Sequence, residues 1–201
     1  MIAIVDYGMG NLRSVTNAFR KLGADVVITR EKEIIGASGA VVLPGVGAFG
    51  KCIENLKGLG LFDFIKELIV KDKLYLGICL GMQILFEASE ESPGVEGMGV
   101  IKGRVPRFTG NVKVPHMGWN SIEIVKGHRI FEGVENGSHF YFVHSFYCLP
   151  EEEEAVATKT TYGVDFASSV QKGNVFACQF HPEKSQRIGL RLLQNFIRLA
   201  K

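Results

Sequence analysis

The sequence predicts an α/β fold of three layers: a mostly parallel central sheet, helices on both of its faces, and antiparallel strands added in the second half. Three observations carry this. Short runs rich in Val and Ile alternate with segments of helical spacing through the first half of the chain. The second half is strand-like, with turns at Gly, Asn and Pro, and the chain closes with an amphipathic helix. Strands covered on both faces read as continuous apolar runs, and β-α alternation builds a parallel sheet.

Taken in order, residues 2–6 form a first buried strand that ends at Gly8 and Gly10, and residues 11–22 show helical spacing. Residues 25–28 and 40–43 are short β-branched strands, 61–70 (LFDFIKELIV) an amphipathic helix, and 74–78 another apolar strand. Strands are then expected over 99–108, 121–125, 138–149, 154–160, 167–171 and 175–180, followed by a helix over 185–199. No repeat, low-complexity tract or linker interrupts the chain, so residues 1–201 are expected to form one domain.

Composition narrows the function. With 201 residues, 46% hydrophobic and 22% charged, the chain can bury a core of ordinary size. A net charge of +2 gives no footprint for nucleic acid. The one run of like charge, glutamates 151–154, reads as an acidic surface turn. No apolar stretch approaches the roughly 18 residues of a membrane span. The opening MIAIVDYGMGN lacks the basic region and cleavage site of a signal peptide. A cytoplasmic protein is the expectation. Cys52, Cys79, Cys148 and Cys178 form no C-x-x-C, which leaves zinc-ribbon and thioredoxin chemistry without support. Disulfides are not expected, and three of the four should be small buried hydrophobes.

The fourth stands in Gly77-Ile78-Cys79-Leu80-Gly81, where an apolar strand runs into a helix. This is the cysteine form of the G-x-S-x-G elbow. So sharp a turn presses the residues two before and two after the nucleophile together, which calls for glycine at both. Backbone N–H groups at the start of the helix suit a thiolate, and the N–H of Leu80 can meet a developing oxyanion. A nucleophile needs a base. His181 ends the strand 175–180, where Pro182 stops the ladder, and Glu183 two residues on can hold the imidazole in one tautomer. Alone, Cys79 could be a buried turn cysteine and His181 a structural histidine; the set of three favours nucleophile, base and orienter. H-x-E also opens a zinc deaminase signature, but P-C-x-x-C is missing, so no metal is assigned. Gly8-x-Gly10 lacks the third glycine of a dinucleotide fingerprint, so no cofactor is assigned either.

PGVGAFG (44–50), GICLGMQ (77–83) and FHPEKS (180–185) resemble, in order and spacing, the three motifs of class I, or triad-type, glutamine amidotransferases, and the likeness covers essentially the whole chain. Within that group DYGMGN (6–11), VPHMGWN (114–120) and FYFVHSFY (140–147) are similar to the glutaminase subunits of imidazole glycerol phosphate synthases. The resemblance implies that Cys79 attacks the side-chain amide of L-glutamine, forming a glutamyl thioester. His181 would protonate the leaving ammonia and then activate water. It implies a second oxyanion donor at the Val46 or Gly47 backbone after a peptide flip, and a hold on the substrate's amino-acid end by Gln83, Ser145 and Phe146. Asn11, Trp119, Tyr141 and Lys184 are implied as partner-interface or gate positions, with a core or surface-packing aromatic as the plain alternative for Trp119. The implied partner is a (β/α)8-barrel cyclase that takes up the ammonia in histidine biosynthesis, giving imidazole glycerol phosphate and an aminoimidazole carboxamide ribonucleotide. Three other readings stay open: a glutaminase of another pathway (anthranilate, aminodeoxychorismate, guanine nucleotide or pyridoxal phosphate synthesis), a Cys-His hydrolase acting on peptides or small amides, and a regulatory module with a relic site.

Overall fold

The computed structural model describes residues 1–200. The elements in chain order are β1 (Ile2–Val5), α1 (Leu12–Lys21), β2 (Val26–Thr29), α2 (Lys32–Ala37), β3 (Ala40–Gly45), α3 (Phe49–Gly58), α4 (Leu61–Val70), β4 (Leu74–Cys79) and α5 (Leu80–Gln83). The second half holds β5 (Ala88–Ser89), β6 (Gly103–Val105), β7 (His116–Ser121), β8 (Glu123–Ile124), β9 (His139–His144), β10 (Leu149–Pro150), β11 (Val156–Tyr162), β12 (Val164–Lys172), β13 (Val175–Cys178) and α6 (Gln186–Leu199). Among the described residues no helix is long and apolar enough to cross a membrane.

The main sheet has eight strands in the order β2-β1-β3-β4-β13-β12-β11-β8. From β2 to β13 neighbours run parallel; β12, β11 and β8 add antiparallel pairs. Side chains alternate between two cores, as the pleat requires. Ala3, Val5, Val41, Leu43, Tyr75 and Ala177 join the core that includes α3 and α4. Ile2, Ile4, Val42, Leu76, Ile78 and Phe176 face the other way, into the core of α1 and α6. Both faces are covered, which is why these strands read as unbroken apolar runs. The expected three layers are present.

Helix ends follow local chemistry. Asn11 caps α1, its side-chain oxygen accepting from the Ser14 N–H at 3.3 Å. α6 buries Leu192, Leu193, Phe196 and Ile197 along one stripe. Glutamates 151–154 are exposed and run into a 3-10 turn, Glu153–Ala155.

Several expectations need correction. Of the strand expected over 99–108, only Gly103–Val105 forms one; Gly99, ahead of it, takes a left-handed φ of +60°. The run 138–149 stops at His144 and resumes at Leu149; between them the chain leaves β9, and Ser145 and Tyr147 bond to Phe108 and Pro106 instead. Helices α2 and α3 and strand β7 were not anticipated. α2 is short, α3 contains two glycines, and β7 carries Gly118 at φ +135°, so none shows a clean period. β7 pairs with β9 in a separate two-stranded sheet.

The elbow is the tightest point of the fold. A Cβ on Gly77 would overlap the Gly81 carbonyl, and one on Gly81 would overlap the carbonyl of Leu43 on β3. Gly81→Ala should therefore cost about 3 kcal/mol or more, at the upper end of overpacking. Gly58→Ala, where nothing lies within 4 Å, should cost nothing in the same urea-unfolding measurement.

Candidate active site

In the parallel pair β4 and β13, Ile78 lies opposite Cys178. Cys79 and the segment 179–181 therefore leave the sheet side by side at its carboxyl edge, where open α/β sheets place their sites. Cys79 itself takes φ +56° and ψ −107°, a strained conformation for a residue with a side chain. The helix that follows is a single turn, Leu80–Gln83, so any macrodipole is small and the first N–H groups matter locally. The other three cysteines are wholly buried, and burial raises their thiols, Cys52 up to about 12. They are the expected small hydrophobes.

His181 Nδ1 lies 2.8 Å from Glu183 Oε1, with both side chains at most 2% exposed. Nδ1 carries the proton in that bond, so Nε2 is the working nitrogen, and it has no hydrogen-bond partner among the described residues. Burial pulls the imidazole's pKa down; the charge of the Cys79 sulfur, then Glu183, more than offsets this and pushes it up to about 10. The turn carrying His181 is pinned by Ser185, whose hydroxyl donates to the His181 carbonyl (2.6 Å) and accepts from the Tyr141 N–H (3.0 Å). The His181 N–H in turn donates to the Tyr141 carbonyl at 2.9 Å.

These groups open onto a cleft of about 360 Å³. Of the residues singled out in the sequence, Cys79, His181, Leu80, Val46, Gly47, Gln83, Ser145 and Phe146 all line it, and Glu183 backs His181. Gln83 does not reach freely into the space: its Nε2 donates to the Phe146 carbonyl (3.2 Å) and to Gln179 Oε1 (3.0 Å). Trp119, 48% exposed, packs edge-on to Tyr141 with centroids 6.2 Å apart, and Lys184 Nζ lies 5.7 Å from the Tyr141 ring centre. A core role for Trp119 is thus excluded. Asn11 uses its side chain to cap α1 rather than to join this cluster.

Sequence reasoning missed Glu91, Pro115, Val143 and His144 in the lining, and Gln179, whose Nε2 donates to Cys79 Sγ at 3.5 Å. Glu91 is fixed by the Phe49 N–H at 2.7 Å. Gln179 stands two residues before His181 and could have been flagged by that adjacency; Glu91 lies in a loop with no local signal.

The sequence matches the family described as Glutamine amidotransferase class-I over residues 3–199. It is 49% identical to the imidazole glycerol phosphate synthase subunit HisH of Methanothermobacter thermautotrophicus, over 100% of both chains. The subunit HisH of Methanocaldococcus jannaschii is 51% identical, with 99% of this chain and 100% of that one covered. Among solved structures, a glutamine amidotransferase superposes with a TM-score of 0.77 at 23% identity, covering 100% of this chain and 99% of the other. PurLQS from Thermotoga maritima gives 0.75 at 20% identity, over 100% and 98%. At these identities the two structures speak for the fold.

The raised imidazole gives a prediction. His181 should keep its proton through neutral pH and lose it near 10, since the negative groups beside it favour the charged form. In Cys79→Ala the largest raising influence is gone, so the midpoint must move down. A ¹⁵N titration of the ring would show both; an unchanged midpoint in the variant would rule out the sulfur as the cause.

Proposed function

The chain belongs to the class I glutamine amidotransferase family, and from that premise we propose that it is the cytoplasmic glutaminase subunit of an imidazole glycerol phosphate synthase. It hydrolyses L-glutamine to glutamate and ammonia and passes the ammonia to a (β/α)8-barrel cyclase. The observation that carries the reading is the meeting, at one cleft, of a strained cysteine at a strand-to-helix corner and a buried imidazole whose far nitrogen is held by a carboxylate. The full-length relatives named as that synthase subunit support the choice of pathway.

The chemistry follows from the positions. Cys79 Sγ attacks the side-chain amide carbonyl, and the tetrahedral oxyanion turns toward the Leu80 N–H. His181 Nε2 delivers its proton to the leaving nitrogen, and ammonia departs from a glutamyl thioester. The now neutral Nε2 takes a proton from water, whose attack on the thioester frees glutamate and the sulfur. Glu183 keeps Nδ1 protonated throughout. An α-amino acid carries one cation and one carboxylate. Glu91 supplies the negative partner at the cleft, and the N–H groups of Ser145 and Phe146, which bond to no acceptor among the described residues, supply donors for the carboxylate. Gln83 acts by bracing the Phe146 peptide.

Val46 and Gly47 line the same cleft, with Gly47 at φ +100°, a conformation that leaves a peptide flip cheap. The flip turns a second N–H toward the oxyanion when the cyclase docks. The surface group of Trp119, half-buried Tyr141 and Lys184 is assigned to the docking face, and so is Asn11, which caps α1 outside that group. Ammonia released into neutral water is mostly protonated and no longer nucleophilic, so an enclosed handover favours a bound partner.

Two outcomes are expected. The isolated chain should turn over glutamine about 10²–10³ more slowly than the complex with the cyclase and its ligand, as for one missing oxyanion donor; equal rates would refute gating by the partner. Cys79→Ala should lose glutamine hydrolysis by about 10⁴-fold or more yet still co-elute with the cyclase, because the thiol faces substrate. Retained turnover in that variant would remove Cys79 as nucleophile.

A further inference from the structure

Two buried imidazoles take no part in these steps. His116 on β7 and His144 at the end of β9 are 3% and 6% exposed, and their rings are joined by a 2.9 Å contact from His116 Nδ1 to His144 Nε2. His144 Nδ1 lies 2.7 Å from the Phe146 carbonyl, which can only accept. Nδ1 therefore carries a proton. In a neutral ring Nε2 must then accept, so His116 Nδ1 is the donor between the rings and His116 Nε2 is left as an acceptor. The Asn120 amide nitrogen stands 3.3 Å from that atom, and the Asn120 oxygen accepts from the Ser121 N–H at 2.8 Å, which fixes which way the amide faces. Every bond has one consistent direction, from Asn120 through both rings to Phe146. The arrangement needs both rings uncharged, and burial keeps them so, His116 falling to about 4 and His144 to about 3. Nor can His116 swing away: its ring is stacked on Tyr162 and Phe142 at 4.0 and 4.9 Å.

The end of the chain of bonds is functional ground. The Phe146 carbonyl receives both the His144 proton and one from Gln83. With both lone pairs taken, the peptide that joins Phe146 to Tyr147, whose N–H is held by the Pro106 carbonyl, is fixed, and it anchors the Cα next to the free Phe146 N–H. The start lies on β7, whose neighbouring Trp119 is half-exposed.

We propose that His116 and His144 are positioning residues for the amino-acid end of the substrate: a single-tautomer relay that holds the Phe146 peptide and ties it to the exposed strand carrying Trp119. The inference rests on the glutaminase reading and extends it, because a partner that shifts β7 would be felt where glutamine is gripped.

The test uses the complex with the cyclase. His144→Leu removes the donor to Phe146, and the KM for glutamine should rise about tenfold, the worth of one hydrogen bond, with kcat changed less than threefold. His144→Asn places an amide donor near the lost Nδ1–H and should recover most of the difference. His116→Phe keeps the ring stack but removes the relay and should raise KM a few-fold. On the unaltered protein, ¹⁵N spectra at neutral pH should show His144 as the neutral Nδ1–H tautomer, a readout that stands even should the leucine variant fail to fold. The relay is overturned by an Nε2–H or charged His144, by an unchanged KM in His144→Leu, or by an asparagine variant as poor as the leucine one. An unaltered complex that hydrolyses no glutamine would instead defeat the function reading itself, so the two failures are told apart.

Discussion

Everything at the site depends on the parallel pairing of β4 with β13. Adjacent strands in a sheet lie about 4.8 Å apart, so two side chains far separated along the chain become neighbours once both strands end at the same edge. No local segment could do this. The pairing is long-range and is secured by the two cores that alternate residues of both strands feed. The geometry of the candidate site is thus inherited from hydrophobic packing rather than built by the polar residues themselves.

What the polar residues add is orientation. The strained backbone at Cys79 persists because Gly77, Gly81 and Leu43 are locked against one another. On the facing side, the Ser185 hydroxyl ties the His181 turn to β9, and Glu183 then decides which ring nitrogen is free. Cys79 and His181 are therefore each held from behind by a buried contact, which would leave little reorganisation for the proposed chemistry.

Most of this was legible in the sequence, for identifiable reasons. Gly77 and Gly81 announce a crowded turn, Pro182 announces the end of a ladder, and the apolar runs of β1, β3 and β4 announce a covered sheet. These are short-range signals, each with a single physical cause. What stayed hidden depends on contacts across the fold. Glu91 lines the cleft with its carboxylate held by the Phe49 N–H at the start of α3, a contact across the fold. Gln179 could be read as one more strand residue until its amide was found against the sulfur. His116 and His144 lie in motifs whose likeness to a family was visible, yet their joint role appears only where β7 meets β9. The break in β9 after His144 was likewise invisible, since residues 145–148 are as apolar and aromatic as the strand before them.

The placement of Trp119 has a practical side. It is the only tryptophan in the sequence, it is half-exposed, and a tyrosine ring and an ammonium group stand close by. The chain therefore carries a built-in optical reporter on one surface, with no second indole to blur it. Any molecule that covers this patch would change the polarity around a lone fluorophore, so association could be followed by intrinsic emission without attaching a dye.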